Sequence, residues 1–352
     1  MDINPALWNG KRVLVTGHTG FKGSWLSMLL AKLGAEVIGI SLPPVKSPYA
    51  LYSDAKISEI TTQELFLDIR NHTDLERAIE EIKPDYIFHL AAQAFVQKSV
   101  KNPRDTITTN INGTTNLLLA AFMSKTVTGV TVVTTDKVYK NVGASKPLNE
   151  SDALGSNDPY SASKAASELV VAALAHACNP QGIPVTTVRA GNVVGGGDWG
   201  EDRLIPDLIR SLSLEGNVKI RNPRATRPWQ HILDCLYGYL LVGQSHLAGN
   251  SDTPKSVNFG PSKSLSVLSL VTILESVLKQ SFKIEISHSD FQEAIWLELD
   301  SQLAYQYFGW QPVFSIEDSI IKTGEWYSKF LNNSDAAELM SSEIGQHKVG
   351  KY

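Results

Sequence analysis

Short runs of β-branched residues alternate with helical stretches through the first half of this chain, and that alternation narrows the possible folds more than any other feature. RVLVTG (12–17), EVIGIS (36–41), ELFLDI (64–69), YIFHLA (86–91), GVTVVTT (129–135) and VTTVRA (185–190) read as strands. FKGSWLSMLLAKLGA (21–35), DLERAIEEIK (74–83), TTNLLLAAFMSK (114–125) and residues 161–177 read as helices between them. Adjacent parallel strands need a crossover connection, so this order predicts an α/β fold: a Rossmann-type doubly wound parallel sheet with helices on both faces. After Ala190 the pattern breaks into GNVVGGGDWGEDRLIP and IRNPRATRPWQH. Irregular segments of that length inside a compact protein usually carry function.

The balance of residues excludes several classes. With 43% hydrophobic and 19% charged residues the chain has enough apolar side chains for a substantial core. A net charge of -4 gives no general attraction to nucleic acid or to an anionic membrane. No apolar run approaches the roughly 18 residues of a membrane span. No basic segment followed by an apolar one opens the sequence, so a cytoplasmic protein is expected. Cys178 and Cys235 form neither a disulfide framework nor a metal pattern, and no metal site is expected.

Gly17, Gly20 and Gly23 stand where the first strand meets the first helix. Glycines there allow a tight turn and bring the backbone close to a pyrophosphate resting on the helix N-terminus. The second strand ends in GISLPPVK, without the usual ribose-binding acid, which leaves NAD and NADP both open on residue chemistry. Asp68 in LDIR has the chemistry to accept from an adenine amino group, or to make a turn. HLAAQ (89–93) brings the small residues Ala91 and Ala92 to a strand end, where they suit either a cofactor or plain packing. His18 reads as a residue that fixes the turn.

Tyr160 and Lys164, in DPYSASKAASE, lie on one helix face one turn apart. A lysine cation near a phenol lowers its pKa and makes it a base for a hydroxyl near neutral pH. TTDKVY places Asp136 beside Lys137 at a strand end, either as a surface ion pair or as an acid/base couple aimed into a pocket.

Together these residues resemble the extended short-chain dehydrogenase/reductase family, over nearly the whole chain from Arg12 to about Trp310. Within it, GHTGFKGSWL, TTDKVY, DPYSASK, RAGNVVGGGDWGEDRLIP and RPWQH look like the nucleotide-sugar 4,6-dehydratases that act on CDP-glucose. The resemblance implies NAD as cofactor, lined by Gly17, Thr19, Gly20, Phe21, Lys22, Gly23, Asp68, Ile69, Leu90, Ala91, Ala92, Gln93, Thr134, Tyr160 and Lys164. It implies oxidation at C4 with Tyr160 as base, loss of water across C5 and C6, and return of hydride to C6. Thr135 would hydrogen-bond the 4-oxygen and Asp136 would protonate the departing 6-hydroxyl. Lys137 stands where relatives carry a glutamate as C5 base, and burial beside Lys164 would have to depress its pKa for that work. Asn192, Arg203, Leu204, Arg227 and Asn258 fall where the family holds the substrate, with Arg221 and Arg224 as further cations. The resemblance also implies a homodimer or homotetramer formed through helices near 103–124 and 161–177, and a place in deoxysugar synthesis for a surface polysaccharide. An epimerase of the same fold would keep Tyr160 and Lys164 without needing the Asp136–Lys137 couple. A non-catalytic dinucleotide sensor would be expected to have lost the tyrosine–lysine pair. In domain terms, residues 1–190 with about 230–260 are expected to bind the dinucleotide. Residues 191–229 and 261–352 would form a smaller C-terminal α/β substrate domain, ending in a loosely held polar tail from about 331.

Overall fold

Four strands of the chain are apolar or β-branched at nearly every position, and the computed structural model shows why: both faces of their sheet are covered. It describes residues 2–45, 47, 49–140, 146–214, 217–220, 222–286 and 297–348. β1 (Arg12–Thr16), β2 (Glu36–Ser41), β3 (Gln63–Phe66), β4 (Tyr86–His89), β5 (Val130–Val133) and β6 (Val185–Ala190) join a further strand, Ser256–Phe259, in one seven-stranded sheet. The spatial order is Ser256–Phe259, β6, β5, β4, β1, β2, β3, and every pairing is parallel. All residues of β4, β5 and β6 are buried, as two-sided coverage demands.

The strand order reverses between β1 and β4, and in open α/β sheets ligands bind in the crevice outside such a switch point. Thr16 pins the two strand ends there: its Oγ1 accepts from Leu90 N and Ala91 N, both at 3.2 Å. One face of the sheet packs on α1 (Phe21–Lys32) and the helix Ile232–Leu247, which is buried from Ile232 through His246. The other face packs on the helices His72–Ile82 and Gly113–Met123. Residues 256–259 thus return to the sheet after the irregular stretch.

The helix Pro159–Ala177 starts sharply because Asp158 accepts from Ser161 N at 2.9 Å and Pro159 occupies the first turn. Asn110, in a π turn at Thr108–Asn112, donates to Gln93 O and to Ser163 Oγ, tying the loop after β4 to that helix.

Two expectations need correction. ELFLDI ends as a strand at Phe66, with Leu67–Ile69 leaving the sheet. The segment from about 331 is not a loose tail: a helix at Ala336–Gln346 buries Ala336, Met340 and Ile344, and His347 Nε2 lies 3.0 Å from the buried Asp234 Oδ1. Polar residues hide this because only one narrow face of the helix is apolar.

Candidate active site

The glycine turn is built for close approach. Gly17 adopts φ +76°, and a Cβ there would lie 2.8 Å from Ala91 N; one on Gly23 would lie 2.1 Å from Gly17 O. Gly20 caps α1 with no side chain, so nothing of the protein's own covers the helix N-terminus from that position. Thr19 Oγ1 bonds Ser41 Oγ at 3.0 Å, tying the turn to the end of β2. This cradle fits a dinucleotide diphosphate. His18 is buried, with Nε2 2.9 Å from Glu64 Oε1, and acts on the turn from beneath.

Other residues expected beside a cofactor are spoken for in various degrees. Asp68 makes a bidentate ion pair with Arg70, whose hydrogen bonds hold the Asp68 carboxyl below its ordinary pKa. Ile69 is buried against Gly113. Leu90, Ala91 and Ala92 follow β4 at the crevice. Gln93 is a correction: its amide donates to Phe95 O and Thr106 Oγ1 and its carbonyl accepts from Phe95 N, so the side chain shapes its own loop. Phe21 and Lys22 line the neighbouring cleft, and Lys22 Nζ reaches Tyr239 Oη at 3.4 Å.

That cleft has a volume of about 620 Å³, within the range of small-ligand sites, and the strand-end cluster opens into it. Thr134 leaves β5, and Asp136–Val138 forms one tight turn capped by Thr135 Oγ1, which accepts from Lys137 N. Thr135 Oγ1 donates to Asp136 Oδ1 at 2.8 Å, and Lys137 Nζ lies 3.5 Å from the same oxygen. Asp136 Oδ2 is buried with no hydrogen-bond partner. Buried polar atoms are nearly always paired, so an orphan acceptor on the wall of a cleft marks a place for a ligand.

Tyr160 lines the same cleft. Burial pushes its phenol pKa up, while the charge of Lys137 and a hydrogen bond with Thr135 pull it down. The net direction is up, so the lowering expected from Lys164 is not found; the cation that opposes burial is Lys137. Lys164 is itself buried, donates to Val133 O at 2.7 Å, and is lowered to about 8, chiefly by desolvation. The expected burial of Lys137 is also absent: its side chain is 36% exposed.

Asn192, Arg203, Leu204 and Arg227 line the same cleft. Asn192 Oδ1 is another buried acceptor with no hydrogen-bond partner. Arg203 is held by Asp198 at 2.8 Å and lies over the Phe95 ring. Asn258 does not belong with them. It is fully buried in its strand, donates to Leu148 O and Asp300 O, and accepts from Tyr139 Oη at 2.6 Å. Arg224 is exposed and is not among the residues lining the cleft, and Arg221 lies outside the described residues. Asp198, Phe95 and Lys219 in the cleft wall were missed; the D-W-G-E-D-R run was a signal for the first, and nothing local marks the others. Trp199 packs with Tyr49, Tyr327 and Phe330 instead of lining the cleft. Among the described residues no group of histidine, cysteine and carboxylate side chains could hold a metal ion, and no helix is long and apolar enough to cross a membrane.

Known proteins are similar to this chain in sequence and fold. The model of the NAD dependent epimerase/dehydratase family matches residues 13–260. The CDP-glucose 4,6-dehydratase of Salmonella typhimurium strain LT2 is 36% identical, with 98% of each chain covered. The dTDP-glucose 4,6-dehydratase of Streptomyces venezuelae, solved with NAD and TYD bound, superposes with a TM-score of 0.79 at 26% identity, covering 93% of this chain and 99% of that one. The UDP-glucose 4-epimerase of Thermotoga maritima reaches a TM-score of 0.80 at 23% identity, over 91% of this chain and 99% of its own, a likeness of fold. A switch-point crevice with a glycine cradle, a tyrosine and a lysine one turn apart on one helix and a matching family model lead to one assignment: this chain belongs to the NAD-dependent epimerase/dehydratase family.

Proposed function

We propose that this protein is a CDP-glucose 4,6-dehydratase, converting CDP-D-glucose to CDP-4-dehydro-6-deoxy-D-glucose and water. The observation that carries the reading is the second acid/base couple, Asp136 with its unpartnered Oδ2 beside Lys137, in one cleft with Tyr160. Epimerisation at C4 needs no such couple, whereas elimination needs a proton taken from C5 and another delivered to the 6-oxygen. Full-length similarity to a CDP-glucose enzyme supports the choice of nucleotide.

NAD bound over Gly17, Gly20 and Gly23 would supply the hydride acceptor for C4 and, at the end, the donor for C6. The chain does the rest. Tyr160 takes the proton of the 4-hydroxyl while Thr135 hydrogen-bonds the same oxygen. Once C4 is a ketone the C5 proton is acidic; with the proton of the couple shifted from Lys137 to Asp136, the neutral amine removes the C5 proton and the Asp136 carboxylic acid protonates the 6-oxygen, which leaves as water. Arg203, Arg227 and Asn192, which line the same cleft as the couple, bind the diphosphate sugar. Arginine suits that group because its planar fork matches phosphate oxygens.

The helices Gly113–Met123 and Pro159–Ala177 leave Met123 and Leu169 exposed, which supports a homodimer through this face. The same reading puts the reaction in the cytoplasm, in the supply of deoxysugars for polysaccharide.

The test is mass spectrometry of purified protein with CDP-, UDP-, dTDP- and GDP-linked hexoses and catalytic NAD. Loss of one water from CDP-glucose without net NADH is expected. Unchanged mass with inversion at C4 would replace the reading with an epimerase, and no change with any sugar would end it.

A further inference from the structure

Behind the Asp136–Lys137 turn lies a second ion pair that the proposed reaction does not use. Glu168, one helical turn beyond Lys164, meets Arg189 of β6, and both side chains are almost sealed from solvent. Glu168 Oε1 accepts from Thr134 Oγ1 at 2.5 Å and Arg189 Nε at 2.9 Å. Its Oε2 accepts from Thr187 Oγ1 at 2.6 Å and Arg189 Nη2 at 2.8 Å. Arg189 Nη1 then donates to Tyr139 Oη at 2.8 Å, and that hydroxyl donates to Asn258 Oδ1.

Buried ion pairs are a weak source of net stability, since apolar residues of the same volume often do as well. The ends of this network suggest a different purpose. One arm grips Thr134 and the other grips Tyr139, the two residues that flank Thr135–Val138. Glu168, Arg189 and Tyr139 do not line the cleft.

We infer that the Glu168–Arg189 pair is a positioning device that clamps both ends of the 134–139 segment and so sets how Asp136 and Lys137 enter the cleft. Tyr160 is held separately: its backbone N donates to Ser99 Oγ at 3.1 Å at the start of a helix capped by Asp158. Thr135 stays tied through the backbone bond from Thr134 N to Val188 O. Loosening the far end of the clamp therefore acts chiefly on elimination; oxidation at C4 feels it only through the charge of Lys137 on Tyr160, a pull weaker than that of burial. This assignment of steps rests on the dehydratase reading; the clamp itself does not.

Tyr139→Phe removes one hydroxyl and keeps the ring, and Arg189→Lys keeps the charge and loses the fork. In a single turnover with CDP-glucose, reduced nicotinamide absorbance is expected to rise at nearly the wild-type rate in Tyr139→Phe. Its decay is expected to slow by about 100-fold, the scale of a 1 Å misplacement, with KM unchanged. Arg189→Lys should show the same split, more strongly. Equal slowing of both phases, or no slowing of either, would overturn the inference. Hydrogen exchange supplies a readout independent of turnover. Amides of residues 135–138 should exchange faster in Tyr139→Phe while those of β1 and α1 do not change; unaltered exchange would also overturn it. Should the wild type remove water from no sugar, the dehydratase reading falls, and the exchange result alone decides whether the clamp exists.

Discussion

Two ion pairs sit within a few residues of each other at the ends of β5 and β6, and they are built on opposite plans. Glu168–Arg189 is sealed, and each carboxylate oxygen accepts two hydrogen bonds from the protein. Asp136–Lys137 is open: one carboxylate oxygen is crowded by Thr135 and Lys137, the other has no partner, and the lysine reaches toward solvent. A saturated pair has no capacity left to bind anything else. An unsaturated one carries a desolvation penalty that a substrate hydroxyl can relieve, the usual signature of a reactive site. The comparison teaches that charge alone does not mark the chemistry; unused hydrogen-bonding capacity does.

The contrast can be broken in a graded series. Tyr160→Phe deletes the proposed first proton transfer and is expected to lower kcat by about 1,000-fold or more with the fold intact, read as water loss by mass spectrometry. Glu168→Ala strands a buried guanidinium and should cost about 3–5 kcal/mol in denaturant unfolding. Asp136→Asn should do the reverse. Dehydration is expected to fall about 100-fold while stability moves by less than about 1 kcal/mol, because one oxygen has no bond to lose. If Asp136→Asn destabilises as much as Glu168→Ala, the two pairs are alike and the distinction fails.

Lys164 sharpens the comparison through pH. Burial lowers it from 10.5 to about 8 in the folded protein, so between those values the unfolded chain holds a proton that the folded chain has released. Stability of the cofactor-free protein should therefore rise with pH across that window, by about 3 kcal/mol in total. Subtracting the unfolding curve of Lys164→Met isolates this contribution, and a flat difference would contradict it. A smaller catalytic effect than that of Tyr139→Phe is expected for Asn258→Ala, which removes only the acceptor of Tyr139 Oη and leaves its bond from Arg189. Its KM for CDP-glucose should stay near wild type while unfolding occurs about 1–3 kcal/mol earlier, since the amide bonds only core groups.

Much of the cleft lining was legible before the structure. Tyr160, Thr135, Asp136 and Lys137 do meet in one cleft with Asn192, Arg203 and Arg227. Asn258 was placed at the substrate by resemblance alone, and its local sequence does not show whether it is buried. In fact it pairs in register with Arg189 inside the sheet, where its amide closes the network from Tyr139. Gln93 was misread because a side chain that folds its own loop looks, in one dimension, the same as one that reaches a ligand. The helix at Ala336–Gln346 was missed because polar composition says little about one buried face.

By itself the sequence determined what depends on local spacing. The alternating strands and helices specify a parallel sheet, three glycines specify a turn open to a diphosphate, and the tyrosine–lysine interval specifies one helix face. These are short-range consequences of backbone sterics and of helix and strand periods. Tertiary structure decided which polar groups are satisfied. Thr187 and Arg189, two residues apart on one face of β6, meet Glu168 from a helix and Tyr139 from a turn, while Asp136 Oδ2 meets nothing. Hydrogen-bond saturation is a sum over partners brought from distant parts of the chain, and only the packed fold determines that sum.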